Sequence, residues 1–239
     1  MAARFEELAW RATPLGELSL RRRYDPLVRK DVYEIKLDDD FLMSSLFTAA
    51  EIALARLALA EPAGKEGLRV LVGGLGLGYT AQAVLDSPDV AELVVVDALA
   101  EVIDWHREGL IPSGAALVAD SRCRLAHGDF FALVGGGSAA GPQVGAEPFD
   151  AVIVDIDHSP RHLLHPGHAD LYTAAGLRRL SERLLVPGGV FALWSNDAPD
   201  GEFTSLLAEV FPEVRAEVVR FPNPLQGREA ANTVYLATS

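Results

Sequence analysis

The sequence predicts an α/β fold of the Rossmann-like, doubly wound kind: a mostly parallel sheet with an antiparallel C-terminal edge, preceded by a small N-terminal β-hairpin unit. Three observations predict it. First, the apolar run Leu68–Gly73 breaks into Gly73, Gly74, Gly76 and Gly78 before an apolar-periodic segment from Ala81 to Leu85, which reads as buried strand, glycine turn and helix start. Second, strands and helices alternate from there on, the pattern of a parallel sheet covered on both faces. Third, the residues before about 43 show period-two patterning around turns instead. The expected boundaries are 1–43 for the hairpin unit and 44–239 for the Rossmann-like domain.

In chain order, Leu18, Leu20 and Tyr24 share one parity, with Arg21 and Arg23 on the other. After the turn at Asp25-Pro26, Tyr33, Ile35 and Leu37 alternate with Glu34 and Lys36, which makes the first unit antiparallel hairpins. Asp38, Asp39 and Asp40 close it as a solvated turn. A helix rich in alanine and leucine is expected from Ser44 or Ser45 to about Leu59, stopped by the proline and glycine of 61–64. The strand over 68–73 and its helix to about Asp86 follow. Further strands are expected over Leu93–Asp97, 123–127, Phe149–Asp155 and Val190–Ser195, with helices from Glu101 to Glu108, Thr173 to Leu185 and over 202–211. Strands over 214–221 and 232–238 form the closing pair, and Gly135 to Gly145 is a low-complexity surface insertion.

Composition narrows the function classes. The chain has 239 residues, 49% of them hydrophobic, enough for one sizeable core. Its formal net charge of −13 repels phosphate backbones, so nucleic acid is not an expected partner; Arg21-Arg22-Arg23 is the tightest basic cluster and reads as a solvated edge. One cysteine, Cys123, precludes an internal disulfide and reads as a small core residue in a strand. The first residues lack an apolar signal core, and no apolar run is long enough to span a bilayer, so no membrane is expected and the expected compartment is the cytoplasm.

In an open α/β sheet, ligands lie outside the carboxyl ends of the strands, near the point where strand order reverses. Gly74, Gly76 and Gly78 offer close backbone approach there. Asp97 closes the second strand about twenty residues beyond the glycines, where an acid accepts hydrogen bonds from ribose hydroxyls. Asp129 and Asp155 close the third and fourth strands. One such acid is ordinarily a cap; three on successive strands beside a glycine turn point to a nucleoside pocket.

The spacing Gly73-Gly-Leu-Gly-Leu-Gly78 departs from the dinucleotide fingerprint. The acid-ended strands and the Pro187-Gly188-Gly189 turn resemble instead the S-adenosylmethionine-dependent transferases. Within that class the order of the hairpins, the glycine motif, Val96-Asp97, Gly128-Asp129, Phe149–Asp155, Leu171-Tyr172-Thr173 and the Pro-Gly-Gly strand is similar to the spermidine synthase family. The resemblance implies that Asp97 holds the ribose, Asp129 the adenine amino group, and Gly74 and Gly76 the methionine-like arm of S-adenosylmethionine or decarboxylated S-adenosylmethionine. It places Asp155 beside an amine acceptor and implies a homodimer joined through the hairpins. The sequence departs from the family at Gly76, where an acid would grip the aminopropyl amine, and after Asp155, where Asp157 stands in for a second acid from a shifted position. The tyrosine–glutamine and histidine–glutamate pairs of the family are not evident around Phe41 to Glu51.

The loop from His158 to His168 holds four histidines, at 158, 162, 165 and 168. Pro160 and Pro166 prevent one helix from presenting them together and no cysteine joins them, so no metal is expected; a lid with His158 as acid or base is the preferred reading. Asp155, Asp157 and His158 are the candidate catalytic residues, and Tyr172, with Trp194, is expected to line the acceptor pocket. Three functions remain open: methyl transfer to a small acceptor, favoured by Gly76 and taken first; aminopropyl transfer to a diamine, favoured by the whole-chain resemblance; and nucleoside binding without catalysis.

Overall fold

A computed structural model describes residues 5–62, 64–137, 144–145 and 147–239. The core of the insertion expected from Gly135 to Gly145 lies outside the described residues. The chain opens with four antiparallel strands in the order β1 (Phe5–Thr13), β2 (Gly16–Asp25), β3 (Lys30–Leu37) and β4 (Asp40–Ser44). Side chains set its turns. The Asp25 carboxylate accepts the backbone N–H groups of Leu27 and Val28, and Asp38, at φ 51°, accepts the N–H of Glu17 across the sheet. Of the three consecutive acids, Asp38 thus serves the backbone. Leu18, Leu20, Val32 and Ile35 are buried and carry this sheet onto the rest of the molecule.

Helix α1 (Ala49–Ala60) begins later than the expected Ser44 or Ser45. Both serines are held in extended backbone by β3: Ser44 pairs with Glu34, and Ser45 exchanges hydrogen bonds with Tyr33 through its backbone N–H and its hydroxyl. The alternating elements follow as β5 (Leu68–Gly73), α2 (Tyr79–Leu85), β6 (Val90–Asp97), α3 (Ala100–Arg107), α4 (Gly114–Ala119), β7 (Cys123–His127), α5 (Phe130–Gly135), β8 (Phe149–Val154), α6 (Ala174–Leu184), β9 (Leu185–Ser195), α7 (Gly201–Ala208), β10 (Glu213–Asn223) and β11 (Arg228–Thr238). The short helices α4 and α5 were not foreseen; each is six residues, too brief for a periodic signal.

The main sheet has the order β10-β11-β9-β8-β5-β6-β7. Its pairings are parallel from β7 through β9, and β11 runs antiparallel to both its neighbours. Strand alternation divides the core. Val70 and Val72 face a layer with α1, α2 and the hairpin sheet, whereas Leu71 faces a second layer with Phe130, Leu177 and Phe203. The expected Pro-Gly-Gly turn proves to be an outward loop within β9: pairing with β8 jumps from Leu185 to Val190, and Gly188 and Gly189 bond the last residue, Ser239. The two halves wind in opposite directions from β5 and β8, which opens a crevice at their carboxyl ends. Among the described residues, no helix is long and apolar enough to cross a membrane.

Candidate active site

A cavity of about 870 Å³ occupies that crevice, walled by the ends of β5, β6 and β8, by β4 and the start of α1, and by the loop from His158 to His168. Gly74, Gly76, Asp97, Asp129, Asp155 and His158 all line it, so most of the residues singled out in the sequence converge.

The turn after β5 needs its glycines for two different reasons. At Gly74, φ is +95° and a Cβ would lie 2.1 Å from the carbonyl oxygen of Asp155, so no side chain fits between the two diverging strands. Gly76, at φ +48°, lies under Met43, whose sulfur would be 2.7 Å from an added Cβ and accepts the N–H of Leu77 at 3.0 Å. Gly78 does not line the cavity. Its missing side chain makes room for His106, Ser113 and Leu117 behind the turn, so its part is packing.

Asp97 ends β6 with its carboxylate accepting the N–H groups of Leu75 and Leu99, each at 2.8 Å. Burial raises its pKa, and these backbone donors, with Gly76, oppose the rise. Asp129 caps α5, one oxygen accepting from Phe131 and Ala132 at 2.8 and 3.1 Å. The cap leaves its second oxygen free of these bonds.

Asp155 follows β8, and its Oδ2 accepts the hydroxyl of Thr80 at 2.6 Å. Burial raises its pKa to about 6, against the lowering effect of that hydrogen bond. Facing it is Glu51, from the first turn of α1, which burial and the charge of Asp155 together raise to about 8. Both carboxyl groups line the cavity, and burial raises both above the ordinary carboxylate range. Glu51 was missed from sequence. Its signal is faint: it is the sole acid in an otherwise alanine- and leucine-rich helix, and nothing local shows which wall that helix will meet.

Asp157 and Tyr172 stand apart from the cavity lining. Asp157 is 1% exposed and fully engaged: Oδ1 accepts the N–H of Leu164 at 2.7 Å and the ring N–H of His168 at 2.8 Å, and Oδ2 accepts the Tyr172 hydroxyl at 2.8 Å. Burial, then the Asp157 charge, holds the Tyr172 hydroxyl well above its ordinary pKa, so it stays a donor. These residues anchor the loop. Its histidines diverge accordingly: His168 stacks on Phe131 at 3.7 Å, His162 reaches Asp197, and His165 accepts the N–H of Gly167. Among the described residues, no three His, Cys, Asp or Glu side chains gather as metal ligands would. Trp194 lines the cavity with its indole N–H buried and unbonded. Cys123 is partly buried in β7, and burial pushes its thiol up to about 11.

No family model matches the chain. Solved structures do resemble it along nearly its whole length. The crystal structure of spermidine synthase from Thermotoga maritima superposes with a TM-score of 0.71 at 17% identity, covering 97% of this chain and 72% of that one. A spermidine synthase in complex with the transition state analogue AdoDATO gives a TM-score of 0.71 at 16% identity over the same shares. With its hairpin sheet joined to a doubly wound sheet, this chain has the spermidine synthase-like fold.

Proposed function

We propose that the protein transfers an alkyl group from an S-adenosyl sulfonium to an amine nitrogen, with decarboxylated S-adenosylmethionine as donor and its aminopropyl group as the group moved. The observation that carries this reading is the half-buried Glu51–Asp155 pair in the same cavity lining as Gly74. The fold shared with spermidine synthases supports the aminopropyl group over methyl. The walls suit a nucleoside donor: Gly74 and Gly76 bring bare backbone to the cavity, and Asp97 and Asp129 present carboxylates at the adjoining strand ends.

When bound, such a sulfonium supplies an electrophilic carbon and a neutral thioether as leaving group. Asp97 accepts from ribose hydroxyls and the free oxygen of Asp129 from the adenine amino group. Thr80 occupies Oδ2 of Asp155, which leaves Oδ1 to meet the acceptor. There it takes one proton from the ammonium, which frees the nitrogen lone pair to bond carbon, while the carbon–sulfur electron pair leaves with sulfur. Glu51 keeps its proton at neutral pH, so the pair carries one negative charge and draws in one ammonium group. The carbonyl of His158 holds the N–H of Asn196 at 2.7 Å, which fixes this end of the loop over the acceptor and excludes water.

The test is product analysis with both donors: methylthioadenosine released from the decarboxylated donor in the presence of amines supports the proposal. Asp155→Asn is expected to retain donor binding and lose turnover; undiminished turnover refutes its role. A second reading, methyl transfer from S-adenosylmethionine, is favoured by Met43 closing the space above Gly76, where the resembling family carries an acid. S-adenosylhomocysteine as the product in the same assay would replace the first reading with this one.

A further inference from the structure

The Glu51–Asp155 pair is one part of a large lining. Ile35, Leu37 and Phe41 of the hairpin sheet, with Phe47 and Trp194, line the same cavity. Phe47 precedes α1 and packs on Phe221, with ring centroids 5.8 Å apart.

The other acids of the lining are already committed. Asp97 is held by two backbone N–H groups at the nucleoside end, Asp129 caps α5 there, and Asp170 pairs with Arg179. Asp157, outside the lining, is buried under the loop with both oxygens engaged. On the hairpin sheet, just outside the lining, the ammonium of Lys36 sits 5.0 Å from the centre of the Phe41 ring. That contact also uses the ring face that a second substrate cation would seek.

We propose that the acceptor is a monoamine with an apolar body: its single ammonium group meets the Glu51–Asp155 pair and its hydrocarbon or aromatic part lies along Phe41, Phe47 and Trp194. This rests on the transferase reading above and departs from a diamine acceptor. A diamine laid along these side chains would set its second ammonium against apolar groups and near the like charge of Lys36, away from the Glu51–Asp155 pair. An uncompensated buried charge of that kind is disfavoured strongly enough to change affinity by well over 10-fold.

Hexylamine and 1,6-diaminohexane are matched in length and differ only in the second amine, and 1,4-diaminobutane serves as the short diamine. With the donor that turns over, hexylamine is expected to give at least about 10-fold higher kcat/KM than either diamine. Equal rates, or a preference for a diamine, would overturn the inference and leave the transferase reading standing. If no amine turns over with either donor, the transferase reading fails. Calorimetric titration of the protein saturated with methylthioadenosine then decides the inference separately. Tighter binding of hexylamine supports it, and tighter diamine binding, equal binding or no binding of either overturns it. Phe41→Glu, at a residue 56% exposed, places a carboxylate beside Lys36 with little risk to folding. It should narrow the preference for hexylamine over 1,6-diaminohexane by about 10-fold, and an unchanged ratio in that variant counts against the proposed placement of the apolar body.

Discussion

Replacing Glu51 with glutamine tests the carboxyl pair through stability, independently of any substrate. In the folded protein the Glu51 carboxyl is raised from 4.5 to about 8 by burial and by Asp155, so the native state binds its proton more tightly than the unfolded chain does. Below about pH 4.5 both states are protonated and the group costs nothing; the penalty grows as pH rises and is complete above about pH 8. At about 1.36 kcal/mol per pH unit, the displacement corresponds to on the order of 5 kcal/mol. Water entering the cavity mouth reduces that figure, and we take about 2 kcal/mol as the working value. For a chain of this size this corresponds to a rise in Tm of about 4–8 °C for Glu51→Gln near pH 8.5, shrinking to nothing near pH 4.5. Thermal denaturation of both proteins across that range is the assay. A gain that is the same at every pH, or a loss of stability at pH 8.5, would show that Glu51 is not a strained, proton-retaining acid.

Other expectations follow from single contacts. Asp97→Ala should weaken methylthioadenosine by more than about 10-fold in a calorimetric titration, and unchanged affinity would remove Asp97 from the ribose site. Gly74→Ala forces a Cβ to 2.1 Å from the Asp155 carbonyl at a positive φ, and should lower the urea unfolding free energy by about 3 kcal/mol. Tyr172→Phe deprives buried Asp157 of one donor and should cost about 1–2 kcal/mol; faster amide exchange confined to 158–170 would confirm the anchoring role, and unaltered exchange would contradict it.

The strands and the glycine turn were legible because each carries its own local pattern: the apolar runs at Leu68–Gly73 and Phe149–Val154 and the turn glycines need nothing from elsewhere. Asp97 and Asp155 could be placed because the topology rule fixes what the ends of parallel strands face. Asp157 and Tyr172 show the limit of that rule. They lie in or beside a loop whose path is set by three long-range hydrogen bonds, and no spacing reveals that their polar groups are spent on one another. Glu51 was hidden for a related reason, since its meaning depends on α1 carrying it against the end of β8. The late start of α1 likewise rests on a partner, the β3 backbone that holds Ser44 and Ser45 extended.

The thioether of Met43 has a consequence for how the two sheets depend on each other. It is the last-but-one residue of β4, yet it accepts a hydrogen bond from the turn after β5 and covers Gly76. The hairpin sheet therefore acts as a clamp on the glycine turn. Whatever ligand the turn holds must reinforce the docking of that sheet, by about 2.7 kcal/mol at a concentration one hundred times its dissociation constant. Reciprocity runs the other way too: a change in the hairpins that loosens Met43 will loosen the ligand by the same factor.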